Sequence, residues 1–396
     1  MNTSKPPKYV RQVLTVLQSR GHPAWLVGGC VRDMLLGIRP HDWDICTGAL
    51  PQQVLEIFPG SRPTGLQHGT VTVVIGSRSV EVTTFRSEGG YADHRHPDMV
   101  SFVGDLTQDL SRRDFTMNAI ALSADGILAD PFGGVEDIRQ KRIRCVGYPE
   151  QRFEEDALRM FRALRFGARL GFTLEEETRA AIVRKAPLAA CLAVERVRDE
   201  VEKILLTKAP ETMFSLMALG LLDPWLTARP GVEMPFLHLS ALPRKALERW
   251  AGFCVELERQ GCIPSVGAFL RTLRLDNRSI QICTDASRLL QEAIPKTPLA
   301  WKRILRRWGV ETVCCAARCS DALDGGSAYR QLRAVLKSGE CFSLRHLAVT
   351  GDDLLALGLR GRAVGDMLNF LLDYVMEYPA NNRRELLLTL ASPEVE

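Results

Sequence analysis

The period of the apolar positions changes once along the chain. Up to about residue 148, segments with helical spacing mix with segments that alternate, and from Glu150 onward only the helical spacing continues. Residues 8–20 form the first amphipathic helix pattern, ended by Gly21 and Pro23. The run Leu26–Thr47, LVGGCVRDMLLGIRPHDWDICT, predicts a strand, a diglycine turn, a short helix over Val31–Leu36 closed by Gly37, and a second strand carrying Asp42-Trp43-Asp44. PQQVLEIF follows as a short helix with Pro51 in its first turn. TVTVVI (70–75) and SVEVTTF (79–85) alternate like paired strands joined at Gly76-Ser77-Arg78. In the second, Glu81, Thr83 and Phe85 share one face. RSEGGYADHRHPDMVSF (86–102) has no apolar period and reads as a mobile loop.

In the second part, EEDALRMFRALRFGARL gives the clearest helix, with Leu158, Phe161, Leu164 and Ala168 as its buried stripe. Asp156 and Arg159, three apart, are expected on one helical face with Arg162 a turn further. VERVRDEVEKIL (194–205) puts Arg196, Glu200 and Lys203 on one face, suited to bracing a neighbouring helix. Polar breaks such as RPGVEMP (229–235), IPKTP (294–298) and DGGS (324–327) divide the remaining helices.

Composition narrows the class. A chain of 396 residues exceeds one ordinary core, so two or more domains are expected. No apolar run approaches the ~18 residues of a membrane helix, and the N-terminal stretch lacks an apolar signal core. Eleven cysteines without framework spacing suit a reducing cytoplasm. Cys314, Cys315 and Cys319 lack a C-x-x-C pair and read as helical packing, and His94 and His96 read as solvated loop residues. A net charge of +4 is mild, so nucleic-acid binding through bulk charge is not demanded, although a local basic face remains open.

The candidate chemistry sits mostly in the first half. Gly28 and Gly29 let the backbone approach a ligand closely, and a helix starting there aims N–H groups as phosphate sites do. Asp42 and Asp44 point the same way from a strand and repel unless a cation such as Mg²⁺ sits between them. Glu81 completes a carboxylate triad if its strand neighbours theirs, and is otherwise an edge residue. Arg112, Arg113, Asp114 and Asn118 offer donors for a triphosphate and a ribose, or else decorate a helix end. Asp156 and Arg159 are either a surface ion pair or a donor–acceptor edge matching that of a base. Arg360 and Arg362, between glycines, suit an RNA backbone or a solvated turn. DPFGGVEDI (130–138) reads as a domain-closing element. No P-loop lysine accompanies the diglycine.

LVGGCVRDMLLG…DWDICT, RRDFTMNAIA, DPFGGVEDI, EEDALRMFRALRF and VERVRDEVEKIL, in this order, resemble the motifs of the bacterial class II tRNA nucleotidyltransferases, the CCA-adding enzymes. That family shares its catalytic core with bacterial poly(A) polymerases. The resemblance spans nearly the whole chain. It implies an α/β head of the polymerase-β nucleotidyltransferase type (1–149), followed by an all-α neck (150–205), body (206–340) and tail (341–396). It implies addition of C, C and A to the 3′ end of tRNA from CTP and ATP with two Mg²⁺ ions, in the cytoplasm, with no membrane and no obligate protein partner. Asp42 and Asp44 are then the metal ligands and Glu81 the third acid. Gly28, Gly29, Arg32 and Asp33 lie around the triphosphate. Arg113, Asp114 and Asn118 serve the sugar and phosphates, Asp156 and Arg159 select the base, and Arg162 is a further nucleotide-binding residue. Arg360 and Arg362 fall in the tRNA-binding tail. The loop at 86–102 corresponds to the segment needed to switch from C to A. The alternatives are a poly(A) polymerase, an enzyme adding only CC or only A, and a catalytically silent RNA-binding relative.

Overall fold

The computed structural model describes residues 5–89, 99–229 and 238–392. The chain divides into two compact units, Met1–Pro224 and Trp225–Glu396.

The first unit is built on a seven-stranded sheet. Its strands are β1 (Ala24–Val27), β2 (Asp44–Thr47), β3 (Arg62–Gly65), β4 (Thr70–Ile75) and β5 (Arg78–Thr84); β6 (Arg86–Gly89) and β7 (Met99–Phe102) form a separate hairpin; β8 (Ala121–Leu122) and β9 (Leu128–Ala129) return to the sheet. The order is β3-β4-β5-β2-β1-β8-β9, antiparallel except for β2 beside β5. A parallel pair needs a crossover, and here the chain between β2 and β5 supplies a helix and the β3–β4 pair. The register sets Asp44 opposite Glu81.

Helices cover this sheet. α1 (Lys8–Ser19) buries Val10, Val13, Leu14 and Leu17, the stripe expected of an amphipathic helix. α2 (Gly29–Leu35) and α3 (Pro51–Ile57) follow; the Gln53 side chain accepts the N–H of Leu50 at 2.8 Å and closes the start of α3. α4 (Leu106–Ser111) and α5 (Gly134–Arg139) flank the stretch 112–118. Between sheet and helices lie Val27, Cys46, Phe85, Leu110, Ala119, Ala121 and Val146. The DPFGGVEDI segment packs α5 against residues 116–118. The Asp130 carboxylate accepts the N–H groups of Gly134 and Val135, and the buried Asp137 accepts from Thr116, Arg142 and Arg144. A Cβ at Gly134 would lie 2.1 Å from the Thr116 carbonyl oxygen, so only glycine fits.

A helical cluster completes the unit: α6 (Pro149–Glu155), α7 (Leu158–Leu170), α8 (Glu176–Lys185), α9 (Val194–Leu205) and α10 (Thr212–Ala218). α7 packs on α9 and α10, so this packing continues past residue 205 and the compact unit closes at Pro224. Leu158, Phe161, Leu164 and Ala168 are buried as their spacing requires.

Four local features differ from the sequence expectation. The strand starts at Asp44, with Asp42 in the bend before it; Trp43 is still buried on the opposite side. The run EEDALRMFRALRFGARL is two helices, because Asp156 takes extended backbone angles and its carboxylate accepts the N–H of Leu158, capping α7. A two-residue strand β11 (Thr173–Leu174), too short to leave an alternating pattern, pairs in parallel with β10 (Arg142–Ile143). The rims of the expected loop are the strands β6 and β7; Met99 and Phe102 stay exposed, so no apolar period marks them. Tyr91, His94 and His96 lie outside the described residues.

The second unit is helical in its described residues: α11 (Ala246–Arg259), α12 (Val266–Thr272), α13 (Asn277–Leu290), α14 (Pro298–Trp308), α15 (Val310–Asp324) and α16 (Ala328–Ser338), then α17 (Gly351–Ala356), α18 (Arg362–Glu377) and α19 (Arg384–Ala391). Cys315 and Cys319 are buried on α15, and all eleven cysteines are free thiols. Leu354, Leu371, Leu372, Val375 and Leu387 form the core of the last three helices. Among the described residues no helix is long and apolar enough to cross a membrane.

Candidate active site

One cavity of about 640 Å³ opens in the first unit, walled by the diglycine turn, the end of α4, residues 113–118 and α7. Its electrostatics come from nine arginines against three aspartates, Asp44, Asp114 and Asp156. The turn depends on Gly28, which adopts φ 78°. A Cβ there would sit 3.0 Å from Nη1 of Arg113 and 3.9 Å from Oδ2 of Asp44, so the glycine also keeps the floor of the cavity open.

Asp44 stands at the head of β2, half-buried, with Glu81 as its register partner and Asp42 two residues earlier. Its carboxyl is pushed up to about 6, first by burial and then by the charge of Glu81; Arg113 opposes this and Asp42 adds to it. Uncompensated negative charge of this kind fits a hard divalent cation. Asp44, with Asp42 two residues before it, could hold one. Among the described residues no three His, Cys, Asp or Glu side chains form a ready cage. Glu81 is exposed, and Glu81 and Asp42 lie outside the cavity lining, so they act on Asp44 through charge.

Behind the wall runs a network of paired charges. Arg32, 2% exposed, donates to Asp33 at 2.9 and 2.6 Å and to Oδ1 of Asn118 at 2.7 Å. Asn118 donates to Asp114 at 2.9 Å, and Arg162 grips the other oxygen of Asp114 at 2.9 and 2.6 Å. These donors hold the Asp114 carboxyl down to about 2 against the opposing effect of burial. Asp33 does not line the cavity as the resemblance implied; it is spent on Arg32 and, at 3.2 Å, on Arg169, because a buried carboxylate needs a cation.

Asp156 and Arg159 both line the cavity; the Arg159 N–H donates to the Asp156 carbonyl at 3.0 Å, and their side chains meet different partners. The break between α6 and α7 turns Asp156 toward α9, where Arg196 grips both its oxygens at 3.3 and 3.0 Å. Arg159 donates to Glu155 at 2.5 Å and to the carbonyls of Arg152 and Arg112. Each is thus fixed from behind by a different partner. On the same α9 face, Glu200 accepts from Arg165 and Lys203.

Sequence reasoning missed Asp109 and the far half of α7. Asp109 is fully buried and holds Arg112 at 2.7 Å and Arg113 at 3.1 Å; it also accepts the N–H of Arg86 at the base of the hairpin. Its signal was legible as an acid three and four residues before the arginines on one short helix. Arg165, Phe166 and Arg169 continue the spacing of Arg159 and Arg162 along the face next to the apolar stripe. In the second unit Arg360 is exposed and donates to the carbonyls of Leu355 and Leu359 at 2.6 and 2.9 Å at the end of α17. Arg362 is 93% exposed and meets Asp366 only at 3.6 Å.

The comparisons with known proteins agree with this arrangement. Residues 24–144 match the family model described as the poly A polymerase head domain, and residues 171–233 match a probable RNA- and SrmB-binding site of polymerase A. A CCA-adding enzyme of Geobacillus sp. (strain WCH70) is 41% identical over 363 residues, covering 87% of this chain and 85% of that one. A CCA-adding enzyme of Limosilactobacillus fermentum is 37% identical, covering 96% and 95%. The crystal structure of the Bacillus stearothermophilus CCA-adding enzyme in complex with CTP superposes with a TM-score of 0.82 at 34% identity, covering 98% of this chain and 97% of that one. With that identity sustained over nearly the full length of both chains, this chain belongs to the CCA-adding enzymes, the tRNA nucleotidyltransferases.

Proposed function

We propose that the arginine-lined cavity holds CTP and then ATP while each is joined to the 3′ end of tRNA. The chain is a template-independent tRNA nucleotidyltransferase that adds C, C and A and releases pyrophosphate. The carrying observation is that Asp44 shares one cavity with nine arginines, an anion-binding site with a carboxylate at its floor. The relative solved with CTP supports the substrate class.

In the reaction the tRNA 3′-oxygen bonds to the α-phosphorus, the bond to the β-phosphate oxygen breaks, and pyrophosphate leaves with that electron pair. Asp42 and Asp44 would hold Mg²⁺, which when bound would lower the pKa of the attacking hydroxyl and offset the charge of the leaving group. Glu81 adds negative charge beside Asp44. Arg32 and Arg113, each with a carboxylate behind it, present guanidinium edges to the phosphates through the Gly28–Gly29 turn. Asp114 and Asn118, with Arg162, bind near the sugar and phosphates. Asp156 and Arg159, held from behind by Arg196 and Glu155, read the base edge. Being fixed by separate partners, they act as a rigid template. Asp33 serves as the brace of Arg32. We assign residues 1–149 as head, 150–205 as neck, 206–340 as body and 341–396 as tail, with Arg360 and Arg362 as tail contacts to the tRNA backbone. The eleven free thiols and a tRNA substrate suit the cytoplasm.

The test is extension of a tRNA transcript lacking its terminal CCA, with Mg²⁺ and CTP, ATP or both, resolved at single nucleotides. Two additions with CTP and a third that requires ATP are expected. A long ladder with ATP alone would mark a poly(A) polymerase, and a stop after two C residues with both nucleotides present would mark a partial enzyme.

A further inference from the structure

α7 carries an aromatic ring that the reaction scheme leaves unused. Phe166 is 4% exposed and lines the cavity. Three guanidinium groups surround its ring, with the central carbons of Arg32, Arg162 and Arg165 lying 5.0, 5.5 and 4.3 Å from the ring centre. Phe115 meets the same ring edge-on at 5.8 Å and 84°, which fixes its orientation. The three arginines come from two helices, α2 and α7, and each already has its own acid: Asp33, Asp114 and Glu200. Those ion pairs pull the guanidiniums toward three different places. Only the ring is common to all three.

Like charges this close repel, and burial strengthens the repulsion. An aromatic face attracts each cation through its quadrupole, whereas an aliphatic side chain of similar bulk fills the volume without that attraction. We propose that Phe166 is a positioning residue that gathers Arg32, Arg162 and Arg165 into one anion-binding wall for the nucleotide triphosphate. This rests on the reading of the cavity given above. The triphosphate is the part that CTP and ATP have in common, so the wall is indifferent to the base. Loss of the ring weakens both nucleotides by one factor, in contrast to changes at Asp156 or Arg159, which alter the choice between them.

The experiment compares Phe166→Leu, which removes the ring, with Phe166→Tyr, which keeps it. Two quantities are read on folded full-length protein. One is the Kd for inorganic tripolyphosphate without tRNA. The other is the pair of KM and kcat values for CTP and ATP addition. Phe166→Leu is expected to raise the tripolyphosphate Kd and both KM values on the order of ten-fold, by a shared factor, with kcat within about two-fold; Phe166→Tyr stays near the parent. Unchanged tripolyphosphate binding in Phe166→Leu, unequal factors for CTP and ATP, or a fall in kcat alone overturns the proposal. If Phe166→Leu does not fold, Arg165→Lys replaces it. That variant keeps the charge but loses the planar stack. It should weaken tripolyphosphate several-fold, and no change overturns the proposal. If the parent protein fails to extend tRNA, the functional reading fails. The tripolyphosphate series still decides the role of the ring.

Discussion

The two compact units bury charge for different purposes. In the first, Arg32, Asp33, Asp109, Asp114 and Arg159 are buried around a cavity, and nearly every cation there is backed by an acid. In the second, the buried cations reach backbone carbonyls as well as an acid. Arg249 donates to the carbonyls of Leu242 and Pro243 at 3.1 Å, and Lys302 donates to Glu340 at 2.8 Å and to the carbonyl of Met376 near the end of α18. A carbonyl at a helix end lacks an intrahelical partner and takes a cation readily. Burial of a charge therefore does not by itself mark a functional site. What distinguishes the first unit is that its paired charges still present an edge to open volume.

Variants can break this contrast, and the largest effect is expected at the cavity floor. Asp44→Ala should lower single-turnover nucleotide transfer by about 10³-fold or more while tRNA binding, read by filter retention, survives. Substantial residual transfer in Mg²⁺ would sink the metal assignment.

Asp114→Asn tests the network behind the wall. The Asp114 carboxyl lies at about 2 in the folded protein, against about 3.9 in an unfolded chain. A depressed folded value means its stabilisation is complete above pH ~4 and is lost as pH falls through ~2, and amounts to roughly 2 kcal/mol. Urea unfolding of the first unit should therefore show that difference between parent and variant at pH 7, shrinking as the pH approaches 2. A difference independent of pH would argue against the charge pairing with Arg162.

Arg159→Ala should loosen nucleotide choice more than it slows turnover, by roughly ten-fold in the ratio of correct to incorrect kcat/KM. Misincorporation assays on tRNA ending before the first C and after the second C read this directly. An unchanged preference would remove Arg159 from base reading. Lys302→Met, in contrast, leaves the Met376 carbonyl without its cation and should cost about 1–3 kcal/mol of stability in the second unit. KM for CTP should not move; if it did, the contrast between the units would fail. Arg362→Ala is expected to do least: about a two-fold weaker tRNA Kd and a salt slope smaller by about 1.

Much of the site was legible because its residues lie close in the chain. The diglycine turn and the Asp-x-Asp run fall within one strand–helix–strand segment, although Asp42 lies in the bend before β2, where strand alternation does not reach. The glutamate at 81 was undecided for the opposite reason. Whether it is an edge residue or a neighbour of Asp44 depends on which strand pairs with β2, and 37 positions separate the two. Helical spacing alone does not reveal the partner of Asp156, because its side chain caps a new helix there. Arg196, 40 positions away, then became its partner.

Local sequence determined the elements: where apolar residues repeat at helical or strand spacing, where glycine permits φ 78°, and which short segments carry acids and arginines. Burial of each stripe enforces those choices wherever the chain goes. Tertiary structure alone decided which charges meet. It set Glu81 beside Asp44 and Asp114 between Asn118 and Arg162, and it collected Arg32, Arg162 and Arg165 around Phe166. Electrostatic interactions act over a few ångströms between residues that sequence separation does not relate. The partner of each charged group became definite only when packing chose its neighbour.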